Sequence, residues 1–197
     1  ELHHSYHFPD IGKDIFIPEK SIDKFSIEPV RLDEKYILDV RLENKNYDDQ
    51  VLKKIGLPEN SWFVALHVRG SGFHGDVGRR EYRNPNILNY IPAIKEITSR
   101  GGWVVRMGDN TMNPLPSMEN VIDYPFTSHK TDFMDLYLIQ NCRFFIACAS
   151  GLSEVAKLLG TDILLVNMYS WILGGPLHIR DRAIHQHVYS KKDKRYL

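Results

Sequence analysis

The chain has 197 residues and a mass of 22.9 kDa, room for one domain of ordinary size or one domain with an arm, but not for two full α/β domains. Its 43% apolar and 25% charged residues, with a mean hydropathy of −0.33, describe a chain that buries a core, and exclude fibrous and disordered classes. Twenty-five basic residues balance 25 acidic ones, so the total charge advertises neither nucleic acid nor an anionic membrane, and any anion site must be local.

The chain begins at Glu1 rather than Met, and we read it as a fragment from which further parts are missing. Residues 1–45 are irregular, with Pro9, Pro18 and Pro29 among short apolar pieces, and read as an arm or the remnant of a preceding domain. His3, His4 and His7 have no carboxylate or cysteine cluster beside them and predict no metal site. From 46 to 197 the pattern is that of one α/β domain. Val51, Leu52, Ile55 and Leu57 make a short amphipathic helix stopped by Gly56 and Pro58. The run 62–68 is almost continuously apolar, as expected of a strand covered on both faces of a parallel sheet.

Asn86 is placed to cap a helix over 86–100, with Gly101 as its stop and Pro92 confined to its first turns. Strands come next at 103–107 and 121–124, then a helix opened by Asp132 as its cap, a strand over 143–148, a helix over 152–159 and a strand over 163–166. Strands alternating with helices predict right-handed crossovers and a Rossmann-like parallel sheet with helices on both faces, binding its ligand beyond the carboxyl ends of the strands. No apolar run approaches the length of a membrane span, and no signal sequence is visible. Cys142 and Cys148, six residues apart along one extended run, are too far apart for a disulfide and read as buried free thiols.

His67-Val68-Arg69 at the exit of the first long strand is the strongest local feature. Residues two apart on a strand share a face, so an imidazole and a guanidinium fork can address one phosphate; the alternative is a surface ion pair and a core histidine. Gly70-Ser71-Gly72-Phe73-His74-Gly75 also matches the dinucleotide fingerprint, but the polar loop after it gives no helix to hold a pyrophosphate, which makes an NAD-dependent oxidoreductase the lesser reading. Ser150 and Gly151 stand where a buried strand turns into a helix, a position suited to an anion and equally to a plain cap. Cys148-Ala149-Ser150 lacks the glycine that a nucleophile elbow needs two residues before its serine. Asp109, Asp132 and Asp135 are candidates for ribose or base hydroxyls, whereas Asp76, Arg79, Arg80 and Arg83 read by default as a solvated charged loop.

His67-Val68-Arg69, then Arg106-Met107-Gly108-Asp109, then 132–138 leading through Cys142-Arg143-Phe144-Phe145-Ile146-Ala147-Cys148 to Ala149-Ser150-Gly151-Leu152, resembles the donor-binding half of GT-B glycosyltransferases of the O-fucosyltransferase-like kind. More closely, 62–167 is similar to a family of bacterial glycosyltransferases of surface polysaccharide synthesis. The resemblance implies the C-terminal half of a GT-B enzyme that transfers a hexosyl or deoxyhexosyl unit from a GDP- or UDP-linked sugar to a glycan or lipid-linked acceptor, without a metal ion or cofactor. It implies an acceptor domain missing from this chain, and a place in the cytoplasm or at the inner membrane face.

On that resemblance Arg69 holds the β-phosphate beside His67 and Gly70, Ser150 and Gly151 contact the phosphates, and Asp109 reaches the nucleoside. The ligand's negative charge is then met by one Arg, one His and a helix end. Asp76 and His74 are the local candidates for the general base, which could equally sit on the absent half. Gly70-Ser71-Gly72 stands where the fucosyltransferase pattern has a second Arg and a Thr-Asp, so the sugar and nucleotide stay open. The rival from another class is a non-catalytic domain that binds sugar nucleotide or glycan.

Overall fold

The computed structural model describes residues 4–8, 13–17, 49–72, 81–169, 178, 180–187 and 189–196. Two compact units divide the chain, residues 1–30 and 31–197. In the first, strands β1 (His4–Phe8) and β2 (Lys13–Ile17) pair antiparallel, with His4 opposite Ile17 and Phe8 opposite Lys13.

The second unit is built on a six-stranded parallel sheet. Its strands are β3 (Phe63–His67), β4 (Trp103–Met107), β5 (Val121–Asp123), β6 (Phe145–Ala147), β7 (Ile163–Met168) and β8 (Arg182–His185). They lie in the order β5-β4-β3-β6-β7-β8, all pairs parallel. Counting β3 as the first, this is the doubly wound order 3-2-1-4-5-6, whose direction of growth reverses between β3 and β6. All five residues of β3 are buried, as the unbroken apolar run predicts for a central strand. A separate small antiparallel pair, β9 (Tyr189–Ser190) with β10 (Arg195–Tyr196), comes after the sheet.

Helices cover both faces. Alternate residues of β3 divide the core in two: Phe63 and Ala65 face one layer, Val64 and Leu66 the other. On the first face α1 (Asp49–Lys54), α3 (Asp132–Asn141) and α4 (Gly151–Leu158) pack with Val105, Phe145 and Leu165. On the second, Ile94 and Ile97 of α2 (Ile91–Ser99) seal Val104 and Ile146. The chain thus has the Rossmann-like architecture expected of it.

Three local expectations need correction. The segment 86–100 is not one helix: Asn86 caps a tight 3-10 turn over Ile87–Tyr90, its side chain accepting from Leu88 N–H at 2.9 Å, and α2 begins at Ile91. Pro92 explains the break, because it lacks an N–H and its ring crowds the carbonyl four residues earlier, so it is tolerated only in a first turn. The cap of α3 is Thr131, whose hydroxyl accepts from Met134 N–H at 3.1 Å, leaving Asp132 as the first residue inside the helix. The sixth strand, Arg182–His185, escapes hydropathy patterning because it is an edge strand with no fully buried residue. Asp181 anchors it: a carboxylate 6% exposed that accepts from the amides of Ile163 at 3.1 Å and His178 at 2.9 Å.

Gly102, between α2 and β4, shows how tightly the layers close. A Cβ there would stand 2.3 Å from Cη2 of Trp62, a ring that also lies 4.8 Å beneath the Arg143 guanidinium. An indole held between neighbours cannot yield as a flexible chain end can. We therefore expect Gly102→Ala to displace Trp62 and to destabilise the fold by about 1–3 kcal/mol. A shift in tryptophan fluorescence together with a lower urea midpoint checks this; an unchanged spectrum and midpoint would contradict it.

Candidate active site at the switch point

Where neighbouring strands send their chains to opposite faces, the exits of the strands leave a crevice. Here it is a cleft of about 940 Å³ lined from the exits of β3, β4, β6 and β7. The β3 exit supplies His67, Arg69 and Gly70, the β4 exit Gly108, Asp109 and Met112, and the β6 exit Ala149, Ser150 and Gly151. Eight of the residues singled out in the sequence (His67, Arg69, Gly70, Asp109, Asp132, Asp135, Ser150 and Gly151) meet in this one place. Asp76 and His74, like Arg79 and Arg80, lie outside the described residues.

One hydrogen bond ties the two sides of the switch point: Ser150 Oγ and His67 Nδ1 stand 3.1 Å apart. Ser150 is the residue before α4. Its N–H donates to Ser153 Oγ at 3.1 Å, and the Ser153 hydroxyl donates to the Ser150 carbonyl at 2.6 Å. Ser150 therefore starts the helix as its N-cap, and it lines the cleft with its hydroxyl held by His67. The N–H groups of a helix's first turn have no intrahelical acceptor, and those of α4 begin at Gly151, where a side chain would meet nothing within 4 Å. That open space beside a helix start suits an anionic group.

Arg69 is 8% exposed, and its guanidinium donates through Nη1 to Asn84 Oδ1 at 2.7 Å. Its backbone N–H donates to Cys148 Sγ at 3.0 Å, which locks the β3 exit to the β6 exit. Cys142 and Cys148 are buried free thiols. Burial pushes the Cys142 thiol up to about 12 and raises that of Cys148 as well. Neither is a thiolate at neutral pH.

His67 is 6% exposed, and burial, aided by the charges of Arg106 and Arg69 and opposed by Asp109, lowers its pKa to about 4. The imidazole is neutral at pH 7. The expectation that a ligand's charge is met by one Arg and one His thus changes: His67 contributes a neutral hydrogen-bonding ring, and the positive charge comes from arginine. Asp109 accepts from Thr111 N–H at 2.8 Å and from the Thr111 hydroxyl, which holds its carboxylate at the cleft wall. Gly108 has φ +141°, a backbone that side chains rarely adopt, and it lets Met112 and the His67 ring come close.

The glycines after β3 have a packing role. A Cβ on Gly72 would lie 2.3 Å from Thr111 Oγ1, and one on Gly70 would touch Met112. They let the β3 and β4 loops press together, a use that the dinucleotide fingerprint does not require.

Besides Asp132 and Asp135, the cleft holds residues that the sequence did not single out for a ligand. Arg83, read as part of a solvated loop, lines it, with its guanidinium 5.1 Å above the Tyr169 ring at the exit of β7. Lys130 pairs with Asp135, and Asp132 and Glu154 complete the wall from α3 and α4. Burial raises the Asp135 pKa despite Lys130. The exit of β7 could have been nominated by its position next to the switch strand; nothing in the sequence aims Arg83 inward. Among the described residues no group of three or more His, Cys, Asp or Glu side chains could hold a metal ion, and no helix is long and apolar enough to cross a membrane.

With this geometry in place, the chain can be set beside known proteins. No protein-family profile matches the sequence, and no curated protein matches it significantly. Two solved structures share its fold. One is the ADP-heptose LPS heptosyltransferase II of E. coli, with 18% identity and a TM-score of 0.54 over 79% of this chain and 46% of that one. The other is a glycosyl transferase of family 9 from Veillonella parvula, with 12% identity and a TM-score of 0.51 over 80% of this chain and 42% of that one. The chain spans less than half the length of either.

The neutral His67 gives a signed pH dependence. Between about pH 6.5 and about 4 the unfolded chain takes up a proton that the folded chain refuses, so stability falls as pH falls through that window, by at most about 1.4 kcal/mol per pH unit from this group. We expect His67→Gln to flatten the dependence relative to the parent. Urea titrations of both proteins from pH 7 to pH 4 check it; parallel curves would refute the assignment.

Proposed function

We propose that this chain is the nucleotide-sugar-binding half of a GT-B glycosyltransferase, which moves a hexosyl or deoxyhexosyl unit from a nucleotide diphosphate sugar to a glycan or lipid-linked acceptor. The observation that carries the reading is the meeting, at one switch point, of a buried arginine, a helix start beside an open glycine, and a hydroxyl fixed by a neutral histidine. The shared fold of two glycosyltransferases supports it.

In a transfer of this kind the bond from the anomeric carbon to the β-phosphate oxygen breaks, and negative charge grows on the departing diphosphate. Groups aimed at that charge lower the barrier if they bind the leaving group more strongly than the intact donor. On this reading Arg69 meets the β-phosphate with its fork, and the first-turn N–H groups of α4 meet the neighbouring oxygens, without a metal ion. His67 holds Ser150 at the phosphates, and Asp109 stands for the nucleoside. The acceptor's base is not assigned: Asp76 and His74, outside the described residues, are the local candidates, and the other half of the enzyme is the alternative. GDP and UDP remain candidate carriers, and the ADP-heptose named for the E. coli neighbour adds ADP.

Calorimetric titration with GDP-, UDP- and ADP-linked sugars tests the proposal. We expect one of them to bind, and Arg69→Ala to weaken it about 10- to 100-fold, the range for a lost charge-assisted hydrogen bond of about 1.5–3 kcal/mol. Equal binding by variant and parent would overturn the role of Arg69, and no binding by any of them would overturn the donor-binding reading itself.

A further inference from the structure

We infer that Arg83 is a second anion ligand of the cleft, which takes a phosphate oxygen of the diphosphate that Arg69 also holds; this rests on the donor-binding reading above. Three cations of the domain have carboxylate partners: Arg106 with Asp123 at 2.8 Å, Lys157 with Glu154 at 2.9 Å, and Lys130 with Asp135, while Arg69 donates to Asn84. Arg83 is half-buried and lines the cleft, yet no carboxylate among the described residues pairs with it. Its Nη2 donates to the Ala149 carbonyl over a long 3.3 Å, and its buried Nε has no acceptor among the described residues.

A guanidinium has five donors in a rigid plane, and burying one donor without an acceptor costs about 1–3 kcal/mol. The next residue repeats the pattern: Asn84 gives its oxygen to Arg69, while its buried Nδ2 has no acceptor among the described residues. A half-buried guanidinium at the wall of the cleft, with no carboxylate partner among the described residues, calls for a ligand rich in acceptors and negative in charge. A phosphate group supplies both. Placement agrees. Ala149, on which Arg83 rests, is the residue before Ser150, so the guanidinium lies over the approach to the helix start. Tyr169 holds its plane from the other side, and Tyr82 meets that ring edge-on at 5.4 Å. Lysine would carry the charge without the planar fork, so it should replace Arg83 only in part.

The test is calorimetric titration of the full chain with ADP, GDP and UDP, comparing the parent with Arg83→Gln, Arg83→Lys and Arg69→Ala, each checked by thermal melting. We expect Arg83→Gln to weaken the nucleoside diphosphate that the parent binds by about 10- to 100-fold, with Arg83→Lys in between and both variants melting near the parent. If Arg83→Gln binds as the parent does while Arg69→Ala does not, Arg83 is no phosphate ligand and the donor-binding reading stands. Equal weakening in the Lys and Gln variants would make the role one of shape rather than charge and would overturn the inference. If the parent binds none of the three, the donor-binding reading falls and this inference with it. Should Arg83→Gln melt early, Tyr169→Leu provides the second comparison: it removes the ring that orients Arg83 and should weaken the same nucleotide, and unchanged affinity would count against the inference.

Discussion

The parallel pairing of β3 with β6 is the constraint on which the rest of the site depends. It sets Ala65 to His67 against Phe145 to Ala147, so the two chains leave the sheet side by side. The chain beyond β3 leads to α2 on one face, and the chain beyond β6 leads to α4 on the other. Two diverging exits must leave a gap, and the side chains at its two edges, from His67 and from Ala149 to Gly151, lie at or just beyond strands buried to their last residue. The rigidity of that arrangement comes from apolar packing, while its chemistry comes from the few polar groups that the exits carry past the core.

Those polar groups are linked across the gap rather than merely gathered there. His67 meets the Ser150 hydroxyl, the Arg69 amide meets the Cys148 sulfur, and Arg83 meets the Ala149 carbonyl. Each contact joins the β3 side to the β6 side. The polar groups of the cleft are therefore already held in place, the kind of preorganisation that reduces the ordering a binding event must impose. The low basicity of His67 belongs to the same arrangement: buried near Arg106 and Arg69, its ring cannot add a third charge to the cluster.

Much of this was legible in the sequence because the central strands are unambiguous. A run such as Phe63 to His67 has few alternatives to a covered strand, and position rules then place His67, Arg69, Ser150 and Gly151 at the ligand edge. The illegible part depends on contacts between distant segments. Arg182 to His185 pairs through its backbone and through Asp181, and neither leaves a mark on hydropathy. Thr131 outcompeted Asp132 as a cap because the hydroxyl one residue earlier reached the Met134 amide, a choice that spacing alone leaves open. The inward turn of Arg83 depends on Tyr169, 86 positions away in the chain.

The sulfur of Cys148 has a meaning of its own. An amide at the exit of β3 usually finds an oxygen; here it finds a thiol, a softer and larger atom, at 3.0 Å. A serine in the same place would carry its oxygen on a shorter bond and would fall short of that amide, or would draw the two exits inward to reach it. The spacing between Arg69 and the start of α4 is thus gauged by an atomic radius. The width of that gap is written in an element, not in a charge.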